Sequence, residues 1–69
     1  MDWTGVSSTS VEAVAYDGAT ATLYLRFAGG AAYAYFGVPA RVYRELLGAE
    51  SVGGYVNRVV KPRYPVRPL

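Results

Sequence analysis

From Thr22 to Ala28 the side chains alternate without a break, with Leu23, Leu25 and Phe27 on one side and Thr22, Tyr24 and Arg26 on the other. A period of two is the mark of a strand with one face buried and one in water. Val11 to Tyr16, rich in valine and small residues and ending at the turn dipeptide Asp17-Gly18, predicts a strand before it. Gly29-Gly30 turns the chain into Ala32 to Phe36, a third strand, so the first half reads as a meander. After Pro39 the period changes. Pro39 suits the first position of a helix, where its missing N–H has no partner to lose. Val42, Tyr43, Leu46 and Leu47 then have the spacing of one buried helical face, and Gly48 is a plausible terminator. Ser51 reads as the N-cap of a second helix striped by Val52, Val56, Val59 and Val60 and ended by Pro62. Residues 62–69 hold Pro62, Pro65 and Pro68 and are expected to form an extended C-terminal tail. The predicted fold is α+β: a three-stranded antiparallel β-meander followed by two short helices packed on one face, in a single domain over residues 1–69.

The hairpin around Gly29-Gly30 leaves two registers open. With a two-residue turn, Tyr24 faces Tyr35 and Arg26 faces Tyr33, which makes an aromatic and basic sheet surface able to stack bases. With Ala28-Gly29-Gly30 as a three-residue loop and Gly30 left-handed, Leu23 pairs with Tyr35 and Leu25 with Tyr33, and the tyrosines line the core. A slip of one residue moves every side chain to the other face, so the two exclude each other. Bulk favours the second. Two helices need something large to cover, and Leu23, Leu25, Phe27, Ala32 and Ala34 alone supply little.

A chain of 69 residues buries only roughly 60% of the surface it exposes when unfolded, so its margin of stability is thin. Cys and His are both absent, which removes disulfides, the usual zinc ligands and any Ser–His or Cys–His nucleophile. The five acids, Asp2, Glu12, Asp17, Glu45 and Glu50, stand singly, and there is no phosphate-loop or dinucleotide fingerprint. No catalytic residue, metal ligand or cofactor is expected, and the chain is not expected to be an enzyme. Apolar runs fall far short of the roughly 20 residues that cross a bilayer, and Met1-Asp2-Trp3 does not open a signal peptide. The expectation is a cytoplasmic protein with no membrane partner.

Net charge is only +2, but its placement is uneven. Arg58, Lys61, Arg63 and Arg67 lie in a C-terminal stretch without an acid, interleaved with Tyr64. That is an electrostatic footprint suited to phosphates, although a solvated tail is the commoner meaning of such a run. Tyr24 and Arg26, on the outer face of the meander, are further candidates for nucleic-acid contact. Ser51, Gly53 and Gly54 open the second helix with bare backbone that can hold a phosphate; the plainer account is close packing at Gly53. Pro62 to Arg67 also fits a proline-x-x-proline-x-basic pattern, which is short and common. Trp3 either covers one end of the sheet or frays with the terminus.

Seven segments in order carry a resemblance: Val6-Ser7-Ser8, Val14-Ala15-Tyr16-Asp17, Leu23-x-Leu25-x-Phe27, Tyr33-x-Tyr35, Val38-Pro39, Ala49-x-Ser51-x-Gly53-x-Tyr55 and Lys61-x-x-Tyr64-Pro65. The chain resembles the KTSC family from about Val6 to Leu69. These modules take their name from the C-terminal end of some lysyl-tRNA synthetases and also occur as free-standing small bacterial proteins. The resemblance implies a non-catalytic module that binds RNA or tRNA. The competing expectation is a protein-interaction adaptor or an accessory protein of a phage or mobile element. The chain itself is expected as a monomer or weak homodimer.

Overall fold

The computed structural model describes Met1–Leu69. Five strands form one antiparallel sheet whose spatial order follows the chain: β1 (Thr4–Gly5), β2 (Val11–Asp17), β3 (Thr22–Phe27), β4 (Ala32–Tyr35) and β5 (Val66–Pro68). Between β4 and β5 lie α1 (Ala40–Leu47) and a second helix, and both pack on one face of the sheet. The fold class is thus the α+β arrangement expected, but the three-stranded meander is only the centre of the sheet. Thr4–Gly5 adds a strand beside β2, and the proline-rich end adds one beside β4.

The β3–β4 hairpin takes the three-residue loop. Phe27 donates to Ala31 O at 2.8 Å, and Leu23 pairs with Tyr35 and Leu25 with Tyr33. Gly29 and Gly30 carry φ of 98° and 97°, which only glycine adopts freely, so both are required by the turn. The tyrosines of β4 therefore face the helices. Tyr35, 4% exposed, joins Val14, Leu23, Leu25, Val42, Leu46, Val56 and Val60 in the core. At Glu12 a bulge shifts the β2–β3 register, so Val11 and Val14 both reach the core.

Each helix differs from its sequence reading at one end. Pro39 precedes α1, with ψ 151°, and Ala40 is the first helical residue. Leu47 was expected in the buried face, yet it is 45% exposed, because α1 ends at Gly48 before another element can cover it. Tyr43 stacks on Tyr16 with ring centroids 5.1 Å apart, and the Tyr16 hydroxyl donates to Val38 O at 2.6 Å, which pins the start of α1 to β2.

The second helix does not stop before Pro62. It runs from an α-helical turn, Val52–Tyr55, through a π-helical turn, Val56–Val60, into a last turn, Lys61–Arg63. A proline inside a helix lacks the N–H for its carbonyl four residues back and crowds that carbonyl. The wider π turn, in which Lys61 donates to Val56 O, comes directly before Pro62 and opens the helix for its ring. Pro62 and Arg63 thus belong to the helix, and only Tyr64 onward is extended. Those extended residues are not free: Phe36 donates to Pro65 O at 3.0 Å and Leu69 to Ala32 O at 2.9 Å.

Candidate nucleic-acid interface

The second helix places three cations along its C-terminal half. Arg58, Lys61 and Arg63 are exposed, and none makes an ion pair. Arg58 and Lys61 are three residues apart, close enough on a helix for like charges to repel, and no carboxylate relieves them. The acids lie elsewhere. Glu12 is held by Arg26 at 2.8 Å and Glu45 by Arg41 at 3.3 Å. The Arg58 guanidinium folds back toward the first turn, with Nη1 3.2 Å from where a Cβ on Gly54 would stand.

Beside this helix a groove of about 350 Å³ opens between the hairpin and β5, lined by Phe27, Ala31, Tyr33, Tyr35, Lys61 and Val66. Phe27 and Tyr33 meet edge to face at 5.7 Å between centroids, and Lys61 Nζ stands 5.3 Å over the Phe27 ring. No acid lines it. Tyr35 is the floor. The Tyr16 and Tyr55 hydroxyls are each hydrogen-bonded within the chain, whereas the Tyr35 hydroxyl has no protein partner and keeps its contact with solvent. Burial, and then the neighbouring Tyr33, push its pKa above the ordinary tyrosine value.

The sequence candidates divide between two faces. Arg58, Lys61 and Arg63 share the helix side, with Tyr64 half-buried against the core. Tyr24, Arg26 and Arg67 belong to the opposite sheet face, where Tyr24 pairs with Ala34 and Ala34 with Arg67. Arg26 is paired with Glu12 at 2.8 Å and its guanidinium lies 4.8 Å over Trp3, contacts that brace it on the outer face. Trp3 covers the sheet there, which settles its placement. Phe27 and Tyr33 pack half-buried against the core on the face expected of them, and their outer sides flank the groove. Their joint position depends on where the second helix crosses the sheet, and no local spacing encodes that.

Ser51, Gly53 and Gly54 line a second cavity, about 550 Å³, with Ser7 to Ser10, Glu50 and Asn57. Here the packing account accords with the geometry. Ser51 Oγ accepts from Gly54 N at 3.0 Å as an N-cap, and a Cβ on Gly53 would run into Ser10 Oγ. Glu50 adds a negative charge to the rim. No three His, Cys, Asp or Glu side chains converge anywhere as a metal site.

One polar pair ties the helices together. The Tyr55 hydroxyl donates to Glu45 Oε1 at 2.8 Å, joining the second helix to α1. Burial first, and the Glu45 carboxylate second, push the Tyr55 pKa up to about 12. The same hydroxyl, and then the Arg41 charge, hold Glu45 below its ordinary value. The two shifts set a window. Tyr55 is protonated more tightly when folded, so its contribution is complete below about pH 10 and fades as pH rises through about 12. Glu45 contributes above its ordinary value near 4.5 and loses that contribution as the pH falls through its lowered folded value. Urea denaturation across pH should show both flanks, and Tyr55→Phe should lose the alkaline contribution of this residue.

A five-stranded antiparallel sheet backed by two helices, with no converging acids, defines a small α+β single-domain protein. The KTSC domain profile matches residues 7–64, and the chain belongs to the KTSC domain family. It is 52% identical over 59 residues to a protein of Tsukamurella paurometabola, covering 86% of this chain and 88% of that one. An uncharacterized protein of Stutzerimonas stutzeri is 36% identical over 64 residues, covering 93% and 90%. The crystal structure of a KTSC domain protein from Yersinia pestis superposes with a TM-score of 0.93 at 29% identity, over 99% of this chain and 96% of that chain.

Proposed function

We propose that this chain is a non-catalytic module that binds RNA, including tRNA, through the C-terminal half of its second helix. The observation that carries the reading is the set of three unpaired cations, Arg58, Lys61 and Arg63, beside a groove walled by aromatic rings and free of carboxylates. Cations of this kind release counterions from a phosphate backbone, which gives affinity with little sequence preference. The absence of His and Cys and the scatter of the acids support a binding role rather than a catalytic one. Arg67, on the other face, is not part of this surface.

Labelled protein titrated with single-stranded RNA and with tRNA tests it by amide shifts at low and moderate salt. For three phosphate contacts the affinity should fall with a log–log salt slope of roughly −2 on a single strand. Joint substitution of Arg58, Lys61 and Arg63 by alanine should flatten that slope and abolish the shifts. No shift at high micromolar RNA ends the reading, and a salt-insensitive protein partner then becomes the better one.

A further inference from the structure

We propose that the groove walled by Phe27 and Tyr33 and floored by Tyr35 is the seat of one unstacked nucleobase, with Lys61 at its rim holding the adjoining phosphate. This rests on the RNA-binding reading and narrows it: the ligand is a strand with a base free to leave its neighbours. A volume of about 350 Å³ is at the small end of ligand pockets, roughly 300–1,000 Å³, and suits one planar ring system rather than a run of them. Phe27 and Tyr33, edge to face at 5.7 Å, give a base an apolar wall, and every base has a face to lay on such a wall. The Lys61 ammonium, 5.3 Å over the Phe27 ring, is the one cation lining the groove, and its long flexible stem lets it swing off the ring to meet the phosphate of a base that enters.

The second, independent observation is the Tyr35 hydroxyl. The residue is 4% exposed, its hydroxyl has no partner in the chain, and the groove is the cavity it lines. The hydroxyl keeps solvent contact in the groove, so its donor and acceptor are both free, and every base edge offers a group to meet it. Because a hydroxyl both donates and accepts, it fits purine and pyrimidine edges alike. Discrimination falls between single strand and duplex, since a paired base cannot reach the floor.

The test follows the aromatic resonances of Phe27, Tyr33 and Tyr35 against an oligouridylate, a fully paired RNA duplex, adenosine monophosphate and inorganic phosphate. The oligouridylate and the nucleotide should move all three rings, and the duplex and phosphate should move none. Tyr35→Phe keeps the ring and the fold, and it should weaken oligouridylate binding roughly 3–10-fold, the loss expected for one hydrogen bond, with an unchanged melting temperature. Lys61→Ala should reduce nucleotide binding and leave a nucleoside unaffected. If duplex and single strand bind equally and shifts are confined to Arg58–Arg63 amides, the RNA reading stands and the base seat is overturned. If no RNA binds, both fall. An acidic phenylalanine peptide that moves the three rings where the oligouridylate does not would make the groove a peptide seat and would also overturn the proposal.

Discussion

Tyr35→Ala should lower the unfolding free energy by about 3–5 kcal/mol, the usual cost of truncating a buried aromatic to a methyl group. A chain of this length holds only about 3–10 kcal/mol in total, at roughly 0.05–0.15 kcal/mol per residue, so the variant should lose a third or more of its stability. The size of the effect follows from position. Tyr35 is the only tyrosine of β4 in the core, paired across from Leu23 and packed under both helices. Tyr33 is half-buried at the groove and should cost less. Tyr35→Phe, which deletes a hydroxyl with no partner in the chain, should melt with the parent. Circular dichroism melts of the three variants separate these cases. A Tyr35→Ala protein that melts like the parent would place the ring outside the core and return the hairpin to its other register.

That register was legible because two constraints met in one short stretch. The alternation of Leu23, Leu25 and Phe27 fixed a buried face on β3, and the bulk required beneath two helices selected the loop that brings Tyr33 and Tyr35 to the same face. The helices were legible for a similar reason: Val42 and Leu46, then Val52, Val56 and Val60, keep one side apolar, and all five are buried. What escaped the sequence lay where local signals are weak or point elsewhere. A strand of two residues, Thr4–Gly5, is too short to show a period. Pro62 reads as a helix stop, and the π turn that tolerates it has no residue signature of its own. Pro65 and Pro68 read as a free tail because proline is scarce in strands, yet Pro65 stands just before β5 and an edge strand accepts Pro68, whose nitrogen faces away from the sheet.

The candidate site was legible only in its charges. Arg58, Lys61 and Arg63 could be listed from the absence of nearby acids, and they are unpaired in the structure. Arg26 stood in the same list because nothing in the sequence ties it to Glu12, fourteen positions away; the bulge at Glu12 brings the two together. Arg67 was grouped with the helix cations by nearness in sequence. The turn after Arg63 and the pairing of β5 carry it to the other face. The groove itself joins Phe27 of β3, Tyr33 of β4, Lys61 of the helix and Val66 of β5, four elements whose meeting is a property of the whole fold.

Removal of Pro65–Leu69 should lower stability by about 2 kcal/mol, the net worth of a few backbone hydrogen bonds less the chain entropy regained. In a domain of this size that is a fall in melting temperature of about 8–16 °C. A dispensable tail would give no change. The loss comes from pairing rather than burial, since Val66, Arg67, Pro68 and Leu69 are all exposed. Without β5 the Phe36 amide loses its acceptor, Pro65 O, and hydrogen exchange at Phe36 should speed up. The same geometry distinguishes Pro68 from the adjacent Arg67. The bonds from Phe36 to Pro65 and from Leu69 to Ala32 make the Ala34–Arg67 pair, midway between them, a hydrogen-bonded one, with the Arg67 N–H turned into the sheet. The Pro68 nitrogen faces outward, where a missing donor costs the ladder nothing and denies an incoming strand a partner. Arg67→Pro should therefore approach the full cost of the truncation, whereas Arg67→Ala should leave the melting temperature within about 4 °C, as a surface substitution that keeps the N–H. Equal melting of the proline and alanine variants would mean that β5 is not held by its backbone.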